Sequence, residues 1–308
     1  WQLDQFPSFQ EKGSTEHVIR SGIAISTVEA SHCITDYLRT TRFIKAVHAA
    51  LLELMVRFPH QQLRILYAGC GPYATLVVPL LPFFPPSRLE FFFLDIHSCS
   101  LESARNLVIK LGFQQYNIHF IKTDATAYVN TDGFHLILTE TMFQALTREP
   151  QVAITEQMQS QLIPGGIFLP EEIKLDAVCT YLSKEPYQKG DTGEFILPEE
   201  QALSIPRRLT LGTLFSIRSG TNFHTLTRGT SAQIESEYYK IPEDKQNYPD
   251  VCIFTQLRIY GAICLHPSES LITNPHCVAS LMNMSDHSHF KLIYNYRMIP
   301  GWMYKLKK

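Results

Sequence analysis

No hydrophobic period runs through positions 1 to about 20, which therefore read as an arm. From Thr27 onward apolar residues recur at helical spacing, Ile34 and Leu38 and then Ile44, Val47, Leu51, Leu52 and Met55. This pattern predicts two linked helices ending near Phe58-Pro59. After Gln62 the pattern becomes strand and helix in alternation. Positions 63–68 read as an apolar strand, Gly69-Cys70-Gly71-Pro72 as a turn, and 73–81 as a short helix ended by proline. Phe91-Phe92-Phe93-Leu94 is apolar on both faces, as a central parallel strand must be. Ser98 or Ser100 is placed to cap a helix running to Leu111, with Gly112 at its end. Positions 117–122 and 134–138 are the next strands, and Pro150 opens a helix that closes before Pro164-Gly165-Gly166.

Past Pro170 no long helix is predicted, and alternating runs at 173–181, 209–217, 251–265 and 290–296 predict antiparallel strands. Positions 184–193 and 243–250 read as polar loops. The expected fold is α/β: a Rossmann-like doubly wound sheet with N-terminal helices, followed by a mostly antiparallel β-barrel-like domain. The expected divisions are an arm and helices over 1–60, a ligand-binding sheet over 61–170 and a barrel over 171–308. In a doubly wound sheet the ligand lies at the C-terminal ends of the strands.

With 45% hydrophobic and 18% charged residues among 308, the chain is too apolar for disorder. Its 27 Lys and Arg against 29 Asp and Glu leave a formal charge of -2, and only the terminal Lys305-Leu306-Lys307-Lys308 is locally basic. Neither a nucleic-acid nor a membrane partner is expected. The most apolar stretch, 76–84, is interrupted by Pro79 and Pro82 and falls far short of the roughly 20 residues that cross a bilayer. The start, 1–13, is polar, without the core of a signal peptide, and because it opens on Trp1 further residues are expected to precede it. The seven cysteines are scattered and never spaced as C-x-x-C, which speaks against a disulfide framework or a thiolate zinc site and for a cytoplasmic home. His287 and His289 have no carboxylate at metal-ligand spacing, so no metal is expected.

The chemistry collects at strand ends. Gly69-Cys70-Gly71 closes the first strand, Asp95 closes the second, and Thr123-Asp124-Ala125 follows the third. Glycines let backbone N–H groups approach a ligand, and a carboxylate at the second strand accepts hydrogen bonds from both ribose hydroxyls. The third glycine of a dinucleotide fingerprint is replaced by Pro72-Tyr73-Ala74, which disfavours NAD. Cys70 itself, with no His or Asp pattern nearby, reads as a small packed thiol.

This spacing resembles the class I S-adenosylmethionine-dependent methyltransferases. Leu136-Ile137-Leu138-Thr139-Glu140-Thr141-Met142, followed by Leu146-Thr147-Arg148-Glu149, is similar to the double-glutamate loop of the protein arginine methyltransferases. Thr35-Asp36-Tyr37-Leu38-Arg39-Thr40 is similar to that family's Asp-x-x-Arg-Thr helix, and the run from Leu162 through Pro164-Gly165-Gly166 to Pro170 to its sheet-to-barrel junction. The resemblance covers about 20–308 and is strongest over 33–176. It implies S-adenosyl-L-methionine as cofactor, held by Arg39, Gly69, Cys70, Gly71, Asp95, Asp124 and Ala125. It implies Glu140 and Glu149 as catalytic residues, Met142 and His276 in the substrate pocket, and a homodimer that uses an apolar patch at Phe83, Phe84, Pro85 and Pro86. The chain departs from the family in four places: no aromatic pair at 22–27, Tyr67 in place of an acid, Thr141 in place of a Trp, and no evident dimerisation arm within 180–207.

The two glutamates have a chemical logic of their own. A guanidinium stays protonated at neutral pH and offers N–H donors in a rigid fork, so two carboxylates can clamp it and aim one nitrogen. The expected activity is methyl transfer to a guanidino group, on free arginine or a small arginine-like compound, or on arginine in a protein. The residues leave open a class I methyltransferase of another amine, hydroxyl or thiol, and a non-catalytic cofactor-binding scaffold.

Overall fold

The computed structural model describes residues 14–189, 195–196, 207–229, 233–284 and 287–307. Residues 1–13 of the arm expected over 1 to about 20, and part of the polar loop over 184–193, lie outside the described residues; the rest of that arm is structured. Residues 17–24 form a hairpin of β1 (His17–Ile19) and β2 (Gly22–Ala24), strands too short for a sequence period to reveal. Two helices then form as expected, α1 (Thr27–His32), whose Ser26 and Glu29 make a capping box, and α2 (Tyr37–Arg57).

The buried stripe of α2 runs through Arg39, Thr40, Phe43, Ala46, Val47, Ala50, Leu51 and Leu54, a helical period. It lies rotated from the face the sequence suggested, and Leu52 is 49% exposed. The reason is that α2 is wedged between the sheet and the barrel, where the small side chains of Ala46 and Ala50 permit close approach.

Five parallel strands form the first layer: β3 (Leu63–Ala68), β4 (Leu89–Asp95), β5 (Asn117–Lys122), β6 (Phe134–Thr139) and β7 (Leu162–Leu169). Their spatial order is β5-β4-β3-β6-β7, the doubly wound arrangement, with the order reversing between β3 and β6. β3, β4 and β6 are buried on both faces, whereas β5 at the edge alternates. β7 has no strand signal in the sequence. Its Pro164-Gly165-Gly166 is accommodated where the register jumps from Phe134↔Leu162 to Leu136↔Ile167, as a proline in a sheet requires.

The helix expected over 73–81 is absent. Ala74 has φ of 41°, and the chain passes through turns into a 3-10 segment, Val78–Phe83, with Pro82 inside it. Pro79 and Pro82 lack the N–H groups an α-helix would need. The apolar patch expected at 83–86 shrinks accordingly: Phe83 is 69% exposed, but Phe84 is buried. After β4, α3 (Ser98–Lys110) takes His97 as N-cap without a side-chain bond, so neither Ser98 nor Ser100 caps it. Ser100 is instead buried against the hydroxyl of Thr27, 3.0 Å away, and Gly112 does end the helix with φ of 74°. α4 (Gln151–Met158) follows Pro150.

Beyond Pro170 come β8 (Glu172–Thr180), β9 (Leu209–Ile217), β10 (Gln233–Glu235), β11 (Tyr239–Lys240), β12 (Asp250–Tyr260), β13 (Ile263–Leu265), β14 (His276–Ser280), β15 (His289–Asn295) and β16 (Gly301–Leu306). β8 lies between β9 and β12, and β12 also pairs with β13 and β14; β15 pairs with β10, β11 and β16, all antiparallel. This is the barrel-like layer, and a single apolar cluster runs from α2 and β3 into its interior. β16 is silent in the sequence because its residues are mostly part-exposed and carry no alternation.

The barrel grips the loop after β6. Ala145, Leu146 and Arg148 have φ of 52°, 59° and 63°, a conformation that L-residues hold only under external constraint, each at about 1–3 kcal/mol. The constraint is visible. Trp302 Nε1 donates to the Ala145 carbonyl at 2.9 Å and the Tyr294 hydroxyl to the Leu146 carbonyl at 2.7 Å. Trp302, Tyr294 and Phe215 pack as a ring cluster behind them. Tyr294 is fully buried, so Tyr294→Phe leaves the Leu146 carbonyl without that donor. Urea unfolding of this variant is expected to show a loss of about 1–3 kcal/mol, and wild-type stability would mean that the hydroxyl does not hold the loop.

Candidate active site

A cleft of about 120 Å³ opens at the C-terminal ends of β3, β4 and β6. Gly69 has φ of 70° and Gly71 φ of 65°, so the chain turns sharply at the end of β3 in a way that glycine permits. The Gly69 and Cys70 amides both donate to the Leu94 carbonyl, at 2.9 and 3.0 Å, which ties this turn to β4. Asp95 is then fixed from two sides. The Gly71 amide donates to Oδ2 at 3.0 Å and the His97 amide to Oδ1 at 2.8 Å. Burial raises the Asp95 pKa, against the pull of those amides. The Thr123 amide donates to the Asp95 carbonyl at 3.1 Å, and Asp124 Oδ1 accepts from the Thr126 amide and hydroxyl, at 2.8 and 2.7 Å.

Arg39 enters from the first turn of α2. Asp36 caps this helix, its Oδ1 accepting from the Arg39 amide at 3.3 Å. Its Oδ2 accepts from the Ser270 hydroxyl at 2.6 Å and the Leu271 amide at 2.9 Å, so the barrel fixes the head of α2. Arg39 Nη2 donates to the Cys33 carbonyl at 2.8 Å, and Nη1 lies 3.3 Å from Glu140 Oε1. Its Nε is buried without a partner.

Glu140 follows β6 and Glu149 precedes α4; both line the cleft, Glu149 buried and the Glu140 side chain 10% exposed. Gln151, fully buried, splints the two ends of their loop: its Oε1 accepts from the Thr141 amide at 3.0 Å and hydroxyl at 2.9 Å, and its Nε2 donates to the Thr139 hydroxyl at 2.8 Å. Burial pushes the Glu140 pKa up to about 7, with Arg39 opposing and Asp36 adding to it. Burial pushes Glu149 up to about 8, reinforced by Glu140 and Glu29 and opposed by Arg39 and Arg148. Among the described residues the Glu149 carboxylate has no hydrogen-bond partner. The site therefore holds two acids that burial drives toward protonation, with Arg39 as the buried cation beside them.

Of the residues singled out in the sequence, Arg39, Gly69, Cys70, Gly71, Asp95, Asp124, Ala125, Glu140 and Glu149 line this cleft together. Met142 is buried in the core beside it, and His276 begins β14 opposite Ile253; neither lines the cleft. Gln151 is invisible to sequence reasoning because a buried glutamine among helix residues carries no signal. His97 is equally silent there: it lines the cleft with Nε2 buried and unpartnered. Tyr67, notable in the sequence only as a departure, lies on the cleft wall, and burial, with Glu140 close by, drives its pKa well up.

The hairpin of β1 and β2 closes one side, contributing Ile19 and Ala24 to the lining. It is docked on the glutamate loop: the Ile23 amide donates to the Arg148 carbonyl at 2.8 Å, and the Arg148 amide donates to the Pro300 carbonyl at 2.9 Å.

No family model matches the chain, and no curated protein matches it either. Solved structures do match. The chain is similar to the PRMT1 enzyme-prozyme heterotetrameric complex with AdoHcy of Trypanosoma brucei, with 13% identity, a TM-score of 0.51 and 86% of each chain covered. It is also similar to the protein arginine methyltransferase 10 of Arabidopsis thaliana, described in a uniquely open conformation, with 11% identity, a TM-score of 0.53 and 86% of each chain covered. At this identity the likeness establishes the fold: a Rossmann-like sheet joined to a β-barrel-like layer.

The tight docking of the hairpin has a direct test. Gly22 has φ of 151°, and a Cβ there would lie 2.8 Å from the Arg148 carbonyl oxygen and 2.9 Å from the Pro150 nitrogen. Gly22→Ala is expected to lift the hairpin locally, raising hydrogen exchange of the Ile23 amide by about one to two orders of magnitude while the sheet amides stay protected. Unchanged exchange at Ile23 would show that the contact is looser than its geometry implies.

Proposed function

We propose that the chain is an S-adenosyl-L-methionine-dependent methyltransferase whose acceptor is a guanidino nitrogen, on free arginine or a small guanidino compound, or on arginine in a protein. The observation that carries this reading is the pair of largely desolvated carboxylates, Glu140 and Glu149, in the same cleft as the glycine turn and Asp95. A neutral acceptor would leave Glu149 without a counter-ion and Glu140 with Arg39 alone, whereas a planar cation with several N–H donors can bridge both. The likeness to arginine methyltransferase structures, one solved with AdoHcy, supports the same conclusion.

The donor set fits the proposed cofactor. Asp95, oriented by two amides, has capacity left for ribose hydroxyls; Arg39 Nε and His97 Nε2, both buried and unpartnered, are polar atoms of residues that line the cleft. On this reading Gly69, Cys70 and Gly71 take the methionine portion, Asp124 and Ala125 the adenine, and Arg39 the carboxylate. When bound, the cofactor supplies an electrophilic methyl group on a sulfonium.

The chain's own residues do the rest. Glu140 and Glu149 bind the guanidinium, draw its positive charge toward the clamped nitrogens and aim the remaining nitrogen along one line. Positioning of this kind contributes on the order of 7–11 kcal/mol in the best intramolecular cases. The acceptor nitrogen loses a proton as it gains the methyl group, and a carboxylate with a pKa near 7–8 can receive it. The same reading carries a homodimer in which the exposed Phe83 ring is covered, and a cytoplasmic home.

Replacing either glutamate with glutamine keeps its size and removes its charge. Glu140→Gln and Glu149→Gln are each expected to slow methyl transfer by roughly two to three orders of magnitude, the equivalent of about 3–5 kcal/mol, with S-adenosylmethionine binding retained. Arginine, a small guanidine library and an Arg-Gly-rich peptide serve as acceptors, and the one methylated identifies the class. Full activity in both variants would sink the guanidinium reading.

The acid pKa values fix a pH dependence. Both glutamates are protonated below about 7 and must ionise to clamp a cation, so guanidinium affinity is expected to rise from about pH 6 to about pH 9. Binding near pH 7 releases protons, which calorimetry in buffers of different ionisation enthalpy detects. The stability of the free protein moves the opposite way. Folded-state pKa values above the unfolded ones mean that this pair's contribution becomes less favourable as pH rises through about 5 to 8. Binding that is independent of pH and releases no proton would contradict the assignment.

A further inference from the structure

Two cysteines outside the cleft face each other across a pair of strands. The β12–β14 ladder sets Cys252 directly opposite Cys277, beside a register shift between Val251 and Cys252. Opposed residues of antiparallel strands have Cα atoms about 4.5–5.5 Å apart, within the span of a disulfide. Directly opposed residues of an antiparallel pair project to the same face of the sheet, so the two side chains are neighbours. Their surroundings are unlike. Cys252 is fully buried among Val178, Phe254 and Leu182, while Cys277 is exposed, its Sγ 3.6 Å from the Ala279 carbonyl oxygen.

The electrostatics divide the pair in the same way. The neighbouring Cys252 thiol holds the Cys277 thiol below the ordinary range, against desolvation and Asp250, whereas the neighbouring Cys277 and burial push Cys252 up. An accessible thiol with the larger thiolate fraction, beside a buried protonated one, is the arrangement of an attacking and a resolving cysteine.

We propose that Cys277 and Cys252 form a peroxide-responsive thiol pair that closes into a cross-strand disulfide within the barrel. The oxidant is a hydroperoxide. The Cys277 thiolate attacks one peroxide oxygen, the O–O bond breaks, and the departing oxygen leaves as water or an alcohol after taking up the proton the thiol gave up. The product is a sulfenic acid on Cys277. The Cys252 sulfur then attacks the Cys277 sulfur, the S–O bond breaks, and the hydroxyl leaves with the Cys252 proton as water. A dithiol reverses the change.

The crosslink matters because of where β14 begins. It directly follows the turn in which Ser270 and Leu271 hold Asp36 at the head of α2. Joining β14 to β12 pins that turn from its far side.

The test uses the full chain treated with stepwise hydrogen peroxide, alkylated, digested without reduction and read by mass spectrometry. A Cys252–Cys277 peptide pair is expected before any change at Cys33, Cys99 or Cys264, and dithiothreitol should remove it. In Cys252→Ser, dimedone is expected to trap the sulfenic acid on Cys277 about tenfold faster than on Cys264. In Cys277→Ser, Cys252 is expected to stay unlabelled. A crosslink to a different cysteine, or progression of wild-type Cys277 to sulfinic acid with no crosslink, overturns the proposal. If a serine variant fails to fold, the wild-type peptide map decides alone.

Discussion

Two carboxylates buried in one cleft repel each other, and the fold has to hold them there. Glu140 and Glu149 are each pushed up by loss of water, and Glu140 pushes Glu149 further. A mobile loop would relieve this by turning one acid outward. Several independent contacts prevent that relief: Gln151 splints the loop's two ends, Trp302 and Tyr294 hold the carbonyls at its strained centre, and the hairpin amide of Ile23 caps it from the other side. Sheet, barrel and N-terminal hairpin thus meet on a single loop, the one that carries both acids. Among the described residues the barrel contributes to the site without placing a side chain in the cleft.

Legibility in the sequence follows from how local each signal is. β3, β4 and β6 are readable because strands buried on both faces are apolar without alternation, and few other elements of that length look the same. The glycine turn, Asp95 and the two glutamates are readable because their spacing is a property of neighbouring residues along the chain. The segment after Gly71 misleads, since its apolar residues fit a helix while Pro79 and Pro82 forbid one. Gln151, Tyr294 and Trp302 leave no trace, because each acts through a hydrogen bond to a carbonyl or hydroxyl that only the tertiary fold brings near. The pairing of Cys252 with Cys277 is equally hidden: it depends on strand register, and on a register shift that no pattern of types records.

Arg39 connects these constraints to chemistry. A cation in the first turn of a helix faces the unfavourable end of the helix dipole, and burial adds a desolvation cost. It is retained there because Glu140 and the Cys33 carbonyl accept from its two terminal nitrogens, and because Asp36 is buried beside it under the barrel's Ser270. On the proposed reading the same residue is both the counter-ion of one catalytic acid and the partner of the cofactor's carboxylate.

On that reading the double role couples the two ligands. While Arg39 faces only Glu140, the acid's charge is partly spent on it, and a guanidinium arriving in the cleft competes with a cation that is already in place. An anion bound beside Arg39 takes up part of that positive charge and restores the pull of Glu140 on a second cation. The coupling runs through a single guanidinium and needs no displacement of the sheet or the barrel. By linkage it is reciprocal: each ligand tightens the other by the same factor, because both effects are one electrostatic energy counted from its two ends.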